Sequence, residues 1–203
     1  MPERELFVPF PESMRTAPET TAVRSTTVIV SRQGIKDRGY FEEYKKNLPA
    51  KSEAELEAAV AGVWLPIELG IDHYVACDRL KLGVLQEREM GGLALRKLGD
   101  TMMGTMAKSL GSAGIVSLWD VLRRYSMFFS ANFRGGGSRV WKMGPKDAIL
   151  EVCGFPLARV PYLRHAYGGL LGEGARFFLT SSYVAEVPRL CTPTTLGFRV
   201  SWV

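Results

Sequence analysis

Two residues four positions apart, His73 and Cys77, have side chains that could bind a metal ion. On a helix this spacing places both on one face, and zinc accepts an imidazole nitrogen and a thiolate sulfur. A zinc site needs three or four protein ligands, so Cys153 and His165 would have to complete it from distant parts of the chain. The competing interpretation is a helix with one polar histidine and one buried cysteine, since free cysteine is often buried. We favour this interpretation and predict no metal site.

His165 is the second candidate for chemistry, in the segment PYLRHAYGG with Arg164 and Tyr167. An imidazole beside a phenol can act as a general acid or base. No serine, cysteine or carboxylate stands in a recognisable triad pattern with it. We therefore expect His165 to be hydrogen-bonded at a helix surface, and we predict no catalytic residue.

The glycine-rich stretch Gly168–Gly174 resembles a phosphate-binding loop only in its glycine content. It lacks the Lys-Ser/Thr ending of a P-loop and the strand-to-helix order of a dinucleotide site. Gly168 and Gly172 fall on one face of a predicted helix, where small residues let the helix lie close on a sheet. We predict a packing role.

Methionine and aromatic residues cluster on two predicted central helices, and such residues can line an adaptable apolar pocket. The same residues could simply form a filled core, and for the cluster taken alone we favour that interpretation. If there is a pocket, we expect its lining to be Met102, Met106, Trp119, Tyr125 and Phe129.

The bulk composition is that of an ordinary globular domain. The chain has 203 residues, 46% hydrophobic and 23% charged, with a net charge of +5. This is enough apolar material for one core. Lys and Arg are scattered, without the basic stripe or motif that nucleic-acid binding usually shows. We expect no nucleic-acid partner.

Cysteine usage and the N-terminus indicate the compartment. Three cysteines without short spacing argue against a disulfide framework and fit a reducing environment. The segment MPERELFVPFPESMR has acidic residues and prolines where a signal peptide has an apolar run. No window approaches the roughly 18 apolar residues of a membrane span. We expect a cytoplasmic protein without a membrane partner.

Residues 1–22 hold four of the eleven prolines, which disfavour helix interiors and sheet ladders. We predict an N-terminal arm there and a single domain at 23–203. Apolar residues in the arm could attach it to the domain or to a partner, but we favour a partly ordered tail.

Helices dominate the first half of the predicted domain. Val23–Ser31 is rich in β-branched residues and predicts a strand. Helices are predicted at Lys36–Leu48, from Ser52 with that residue as N-cap, at Ile71–Leu82 and from Arg88.

Ser117 and Asp120 form a capping-box pattern before one long apolar helix. The pattern then changes to strands. The predicted elements are a hairpin turning at Gly144–Lys146, a helix at Pro161–Phe178, and strands at Tyr183–Leu190 and Leu196–Val203. We predict an α+β fold, with a helical layer packed on a small C-terminal antiparallel sheet of about four strands.

Three features resemble a myxobacterial family of proteins of unknown function: the helix LRKLGDTMMGTM, the apolar helix after it, and the strand–strand–helix–strand–strand ending with Trp202. The resemblance covers residues 61–203. This order also resembles the haem nitric-oxide-binding domains and the 4-vinyl-reductase-type sensory domains, which share a fold with Golgi transport subunits. The resemblance implies a helical pocket and a tendency to dimerise.

The resemblance does not extend to a haem site. The haem domains carry a proximal histidine on the helix before the hairpin, where this chain has Arg123. Their Tyr-x-Ser-x-Arg motif for the propionates is missing near Leu150–Ala158, and the chain lacks the clustered cysteines of the metal-binding sensory domains. We expect no cofactor.

The function we predict is a non-enzymatic sensory or regulatory domain. It would hold a small apolar ligand in a pocket between the central helices and the sheet. The alternative is a protein–protein adaptor or scaffold with a filled core, acting as a homodimer and through the Pro-rich arm. An enzyme that uses His165 is the least favoured hypothesis.

Overall fold

A computed structural model describes residues 5–10, 17–99, 117–179 and 181–203. This part of the chain is α+β, as predicted. The strands are β1 Glu5–Val8, β2 Ala22–Arg24, β3 Trp64–Pro66, β4 Phe133–Arg134, β5 Gly137–Gly144, β6 Asp147–Cys153, β7 Ser182–Glu186 and β8 Thr195–Trp202.

The helices form a layer beside the larger sheet, and those at Tyr125–Asn132 and Pro161–Arg176 contact it directly. They are α1 Ser25–Asp37, α2 Phe41–Asn47, α3 Ala50–Ala58, α4 Ile67–Asp78, α5 Val84–Gly99, α6 Leu118–Arg123, α7 Tyr125–Asn132 and α8 Pro161–Arg176. Short 3-10 turns lie at Pro156–Arg159 and Pro188–Leu190. None of the helices in the described ranges is long and apolar enough to cross a membrane.

The larger sheet has five antiparallel strands in the order β1-β5-β6-β8-β7. Its four C-terminal strands include the predicted hairpin, and β1 adds a fifth. Leu150 of β6 pairs with Phe198 of β8, and both side chains are completely buried beneath the helices. A second, three-stranded sheet in the order β3-β2-β4 was not predicted, because strands of two or three residues carry no periodic signal.

The described parts of the N-terminal arm pair with the domain, which differs from the tail that we favoured. Leu6 of β1 lies opposite Trp141 of β5, so main-chain groups cover this sheet edge. Further along, the Thr20 amide donates to the carbonyl of Gly154, and the Gly136 amide donates to that of Pro18.

The predicted strand at Val23–Ser31 is wrong beyond Arg24, because helix α1 begins at Ser25. The Ser25 hydroxyl donates to the carbonyl of Val60 at 2.8 Å and fixes the start of the helix. Burial of Val28 and Ile35, seven residues apart, has the helical period, and this tertiary contact overrides the β preference of the branched residues.

Several predicted helix ends were also wrong. The helix at Lys36–Leu48 is divided, since α1 ends at Asp37 and α2 begins at Phe41. Ser52 is not an N-cap: α3 begins at Ala50, and the Ser52 hydroxyl donates to Asp72 of α4 at 2.5 Å.

Two further helices differ in extent from the prediction. Helix α4 starts at Ile67 and includes Gly70, whose missing side chain lets Val23 of β2 approach. The long apolar helix breaks at Arg124 into α6 and α7. The capping box of Ser117 and Asp120 is confirmed in both of its hydrogen bonds.

Helices α5 and α8 cross with their backbones almost in contact. A Cβ on Gly91 would lie 1.7 Å from the carbonyl oxygen of Ala166, and one on Gly169 would lie 1.8 Å from that of Arg88. Only glycine fits at either position. The predicted packing of Gly168 on the sheet is confirmed by the ring of Phe198, whereas a Cβ built on Gly172 meets none of the described residues within 4 Å, its own helix backbone apart.

We expect Gly169→Ala to lower the free energy of unfolding by about 3 kcal/mol or more, because the added methyl must push a backbone away. Gly172→Ala in the same helix is the matched control. It should raise stability by about 0.5–1 kcal/mol, since the site is open and alanine is the better helix former. Urea titrations of both variants check this. Equal changes in the free energy of unfolding for the two variants would show that the backbones of α5 and α8 lie farther apart than the structure places them.

Candidate functional site

A small cavity of about 60 Å³ lies among the helices, and it is partly open to solvent, since its lining residue Phe128 is 41% exposed. Thr27, Val30 and Ser31 of α1 form one wall, and Phe128 and Phe129 of α7 another. Residues of α4, α5 and α8 complete the lining, together with Phe133 of β4. The wall is mostly aromatic and aliphatic. Because nearly all of these residues belong to helices, the cavity lies among helices, whereas we predicted a pocket between helices and sheet.

The structure places the five predicted lining residues in different surroundings. Phe129 lines the cavity. Tyr125 lies directly behind the wall, where its hydroxyl is hydrogen-bonded to that of the lining residue Tyr167. Met102 and Met106 lie outside the described residues.

Trp119 lies away from the cavity. Its indole nitrogen donates to the carbonyl of Pro145 at 2.8 Å, in the hairpin turn. Its ring packs edge-on against Phe7 of the arm at 4.8 Å and Trp202 at 5.0 Å, measured between ring centres. Trp119 thus joins α6, the hairpin, the arm and the final strand.

Most polar groups of the cavity wall are satisfied by neighbouring protein groups. The Thr27 hydroxyl donates to the side-chain carbonyl of Asn132 at 3.1 Å. Burial raises the pKa of Tyr167, and burial with the neighbouring Tyr167 raises that of Tyr125, so both phenols stay neutral. The cavity therefore presents an uncharged surface.

A buried polar cluster adjoins the cavity around His73. Its Nδ1 lies 2.7 Å from the Tyr44 hydroxyl and its Nε2 2.9 Å from the Ser31 hydroxyl. Burial, and then the charge of Arg32, lower the pKa of His73 to about 3, so the ring is neutral. The sequence pointed to His73 and Cys77 but missed Tyr44 and Ser31, which come from α2 and α1.

This cluster supports the structural interpretation of His73 and Cys77. Both ring nitrogens of His73 are engaged, and the Cys77 sulfur lies 3.9 and 4.0 Å from them. Burial raises the pKa of the Cys77 thiol, so the thiol stays protonated in this surrounding. In the described ranges there is no group of three or more potential metal ligands.

His165 forms a pair with Glu87 that the sequence did not indicate, because the two are far apart in the chain. Its Nδ1 lies 2.5 Å from a carboxylate oxygen of Glu87. The Glu87 side chain is only 8% exposed, and a buried carboxylate requires such a partner. The pair therefore joins α5 to α8 beside the glycine crossing.

The described residues of this site do not fit a haem group. Pockets for drug-sized ligands measure roughly 300–1,000 Å³, far more than the cavity offers. The lining contains neither histidine nor cysteine among the described residues, and its tyrosines are kept neutral by burial. Arg123, at the position expected for the proximal histidine, is exposed, and its guanidinium lies 4.9 Å from the ring centre of Phe7.

The neutral state of His73 makes stability depend on pH. The unfolded histidine takes up a proton near pH 6.5, whereas the folded one resists protonation down to about pH 3. Between these values the unfolded state binds more protons, so the free energy of unfolding falls as the pH is lowered, by up to about 1.4 kcal/mol per unit. We expect His73→Gln to flatten this slope between pH 6.5 and 5, above the carboxylate range. Urea titrations at several pH values measure it, and parallel curves would contradict the assignment.

Comparison with known proteins gives a likeness of fold alone. No family model and no curated protein matches the sequence. An oxygen-binding H-NOX domain related to soluble guanylate cyclases, in its oxygen complex, superposes with a TM-score of 0.58 at 12% identity, covering 88% of this chain and 94% of that chain.

Two further structures agree with this match. One concerns the function of haem distortion in the H-NOX family (TM-score 0.59, 12% identity, 88% and 94% coverage). The other concerns the modulation of haem redox potential through porphyrin distortion (TM-score 0.57, 12% identity, 88% and 99% coverage). The resemblance to the 4-vinyl-reductase-type and Golgi proteins stays a prediction. From these superpositions, the described part of the chain has the fold of the H-NOX domains.

Proposed function

We propose that this protein is a non-enzymatic sensory or regulatory domain that binds a small apolar ligand in the cavity among its helices, without haem. The observation that carries the proposal is an uncharged, largely apolar cavity inside a fold whose solved examples include an oxygen-binding domain. One fold hosts many functions, so the argument rests on the cavity and not on the likeness.

The volume of the cavity limits the ligand. Space of about 10–15 Å³ holds one water, and an apolar cavity of about 150 Å³ admits benzene. At about 60 Å³ the cavity suits a molecule of a few heavy atoms. The surrounding rings give it a largely apolar lining, against which burial of such a molecule is favourable.

The ligand-contacting residues we propose are adjusted to this geometry. Phe129 contacts the ligand, and Tyr125 fixes the lining residue Tyr167 from behind. Met102 and Met106 remain proposed contacts. Trp119 has a structural role instead, since it attaches the arm and the hairpin to α6.

An adaptor that acts as a homodimer remains the second candidate. Met127 is 69% and Phe128 41% exposed, side by side on α7, and such apolar exposure favours a partner surface. An enzyme using His165 has less support, because the Glu87 carboxylate explains that side chain structurally.

After incubation with haemin and gel filtration that removes unbound haemin, we expect the protein to show no Soret band, because the described lining has neither the space nor the axial ligand. An absorption spectrum with native mass spectrometry checks this. A stoichiometric haem adduct would contradict the haem-free proposal. A dimer mass without any adduct would favour the adaptor.

We expect xenon to bind in the cavity and Ala94→Leu to abolish its binding, since Ala94 lines the cavity and the larger side chain fills it. Stability should stay the same or rise by about 1 kcal/mol. Xenon-dependent NMR shifts of the lining methyl groups provide the measurement. Ala54→Leu on the exposed surface of α3 is the matched control and should bind xenon normally. If xenon does not bind the unmodified protein, the cavity is not a ligand site.

A further inference from the structure

Ser31 occupies a special position in the cavity wall. It lines the cavity, and its oxygen is also the end of a buried hydrogen-bond chain that runs from Tyr44 through His73. Among the described residues, His73 is the hydrogen-bond partner of the Ser31 side chain. A hydroxyl can both accept and donate, so the direction of the chain decides what Ser31 offers to the cavity.

Arg32 sets that direction. The central carbon of its guanidinium lies 5.9 Å from the ring centre of Tyr44, and its charge acts on the Tyr44 hydroxyl. The positive charge of the guanidinium favours the orientation in which the lone pairs of the Tyr44 oxygen face Arg32 and its hydrogen faces His73. A neutral imidazole that accepts at Nδ1 carries its proton on Nε2.

The hydrogen bond between His73 and Ser31 is assigned by the same rule, that each donor needs an acceptor. In the tautomer with the proton on Nε2, this nitrogen is the donor of the hydrogen bond to the Ser31 oxygen, which lies 2.9 Å away. The hydrogen of the Ser31 hydroxyl is then not needed by His73 and is available on the cavity side. Successive donors polarise one another in a low-dielectric interior, which strengthens the final donor.

We infer that the Ser31 hydroxyl donates a hydrogen bond to the ligand, so that the cavity selects a small apolar molecule with one acceptor atom, such as a carbonyl oxygen. This inference rests on the proposed function of the cavity as a ligand site. The inference disfavours two other classes of ligand. A purely apolar molecule would leave the Ser31 hydrogen without an acceptor, and a molecule whose only polar group is a donor would place two donors opposite each other.

The other hydroxyls of the lining are less suited to donate a hydrogen bond to the ligand. Thr27 donates to Asn132, and Tyr167 is hydrogen-bonded to Tyr125. Tyr162 interacts with the Cys77 thiol. Tyr74 is the competitor, since it also lines the cavity and its ring packs against His73 with 4.6 Å between ring centres.

Acetone and 2-methylpropene test the inference, because they have the same shape and differ in one acceptor oxygen. Both are titrated into the full-length protein, and dissociation constants are taken from methyl NMR shifts of the cavity wall. We expect Ser31→Ala to weaken acetone binding about fivefold or more, the usual effect of one hydrogen bond. Binding of 2-methylpropene should change less than about twofold, because it makes no such bond. Thr27→Val, which removes another hydroxyl from the same helix and wall, should leave the ratio of the two constants unchanged.

Three outcomes would overturn the inference in distinguishable ways. If both probes bind and Ser31→Ala weakens them equally or not at all, the site exists but Ser31 is not its donor. If Tyr74→Phe removes the preference for acetone and Ser31→Ala does not, Tyr74 is the donor. If neither probe binds the unmodified protein, the proposed function fails and the inference with it.

The tautomer of His73 is a second, independent measurement on the unmodified chain. Imidazole ¹⁵N shifts separate a protonated nitrogen from a bare one. A proton on Nε2 supports the direction argued here. A proton on Nδ1 would reverse the chain, make Ser31 the donor to His73, and overturn the inference even if every variant folds.

Discussion

The contact on which the rest of the structure depends is the crossing of α5 and α8 at Gly91 and Gly169. Two backbones meet there without side chains between them. The buried pair of Glu87 and His165 joins the same helices beside the crossing. Because α8 lies on the sheet through Gly168 and Phe198, this contact sets how far α5 stands from the sheet, and with it the width of the cavity between the helices.

The sequence predicted those features whose signal is local and periodic. The hairpin around Gly144–Lys146, helix α8 and the capping box at Ser117 all follow from spacing and turn chemistry. The start of α1 was missed because burial of Val28 and Ile35 against the rest of the core outweighs the local preference for a strand. Phe129 could be named as a lining residue from apolarity alone. Ser31 and Tyr44 could not, since they meet His73 only after three helices have packed.

The H-NOX fold and the absence of a fitting haem pocket in the described residues are compatible for a simple reason. Backbone topology is set by helix and strand patterns, whereas the room inside is set by side-chain volume. Here aromatic rings fill the core beside the cavity: Phe129 and Phe133 are tilted against each other at 5.0 Å, and Phe155 lies edge-on to Phe133 at 4.9 Å and to Tyr167 at 6.2 Å, centre to centre. A small change in the size of these rings would alter the shape of the cavity without changing the fold.

The burial of Cys77 has a consequence for how the domain can be observed. Its thiol is completely buried and has a raised pKa, whereas Cys153 and Cys191 are partly exposed. An alkylating reagent can reach Cys77 only while α4 is transiently detached from the core, since the thiolate forms only in water. The labelling rate of this one sulfur therefore reports how often the helical layer opens, and it can be followed on the unmodified chain.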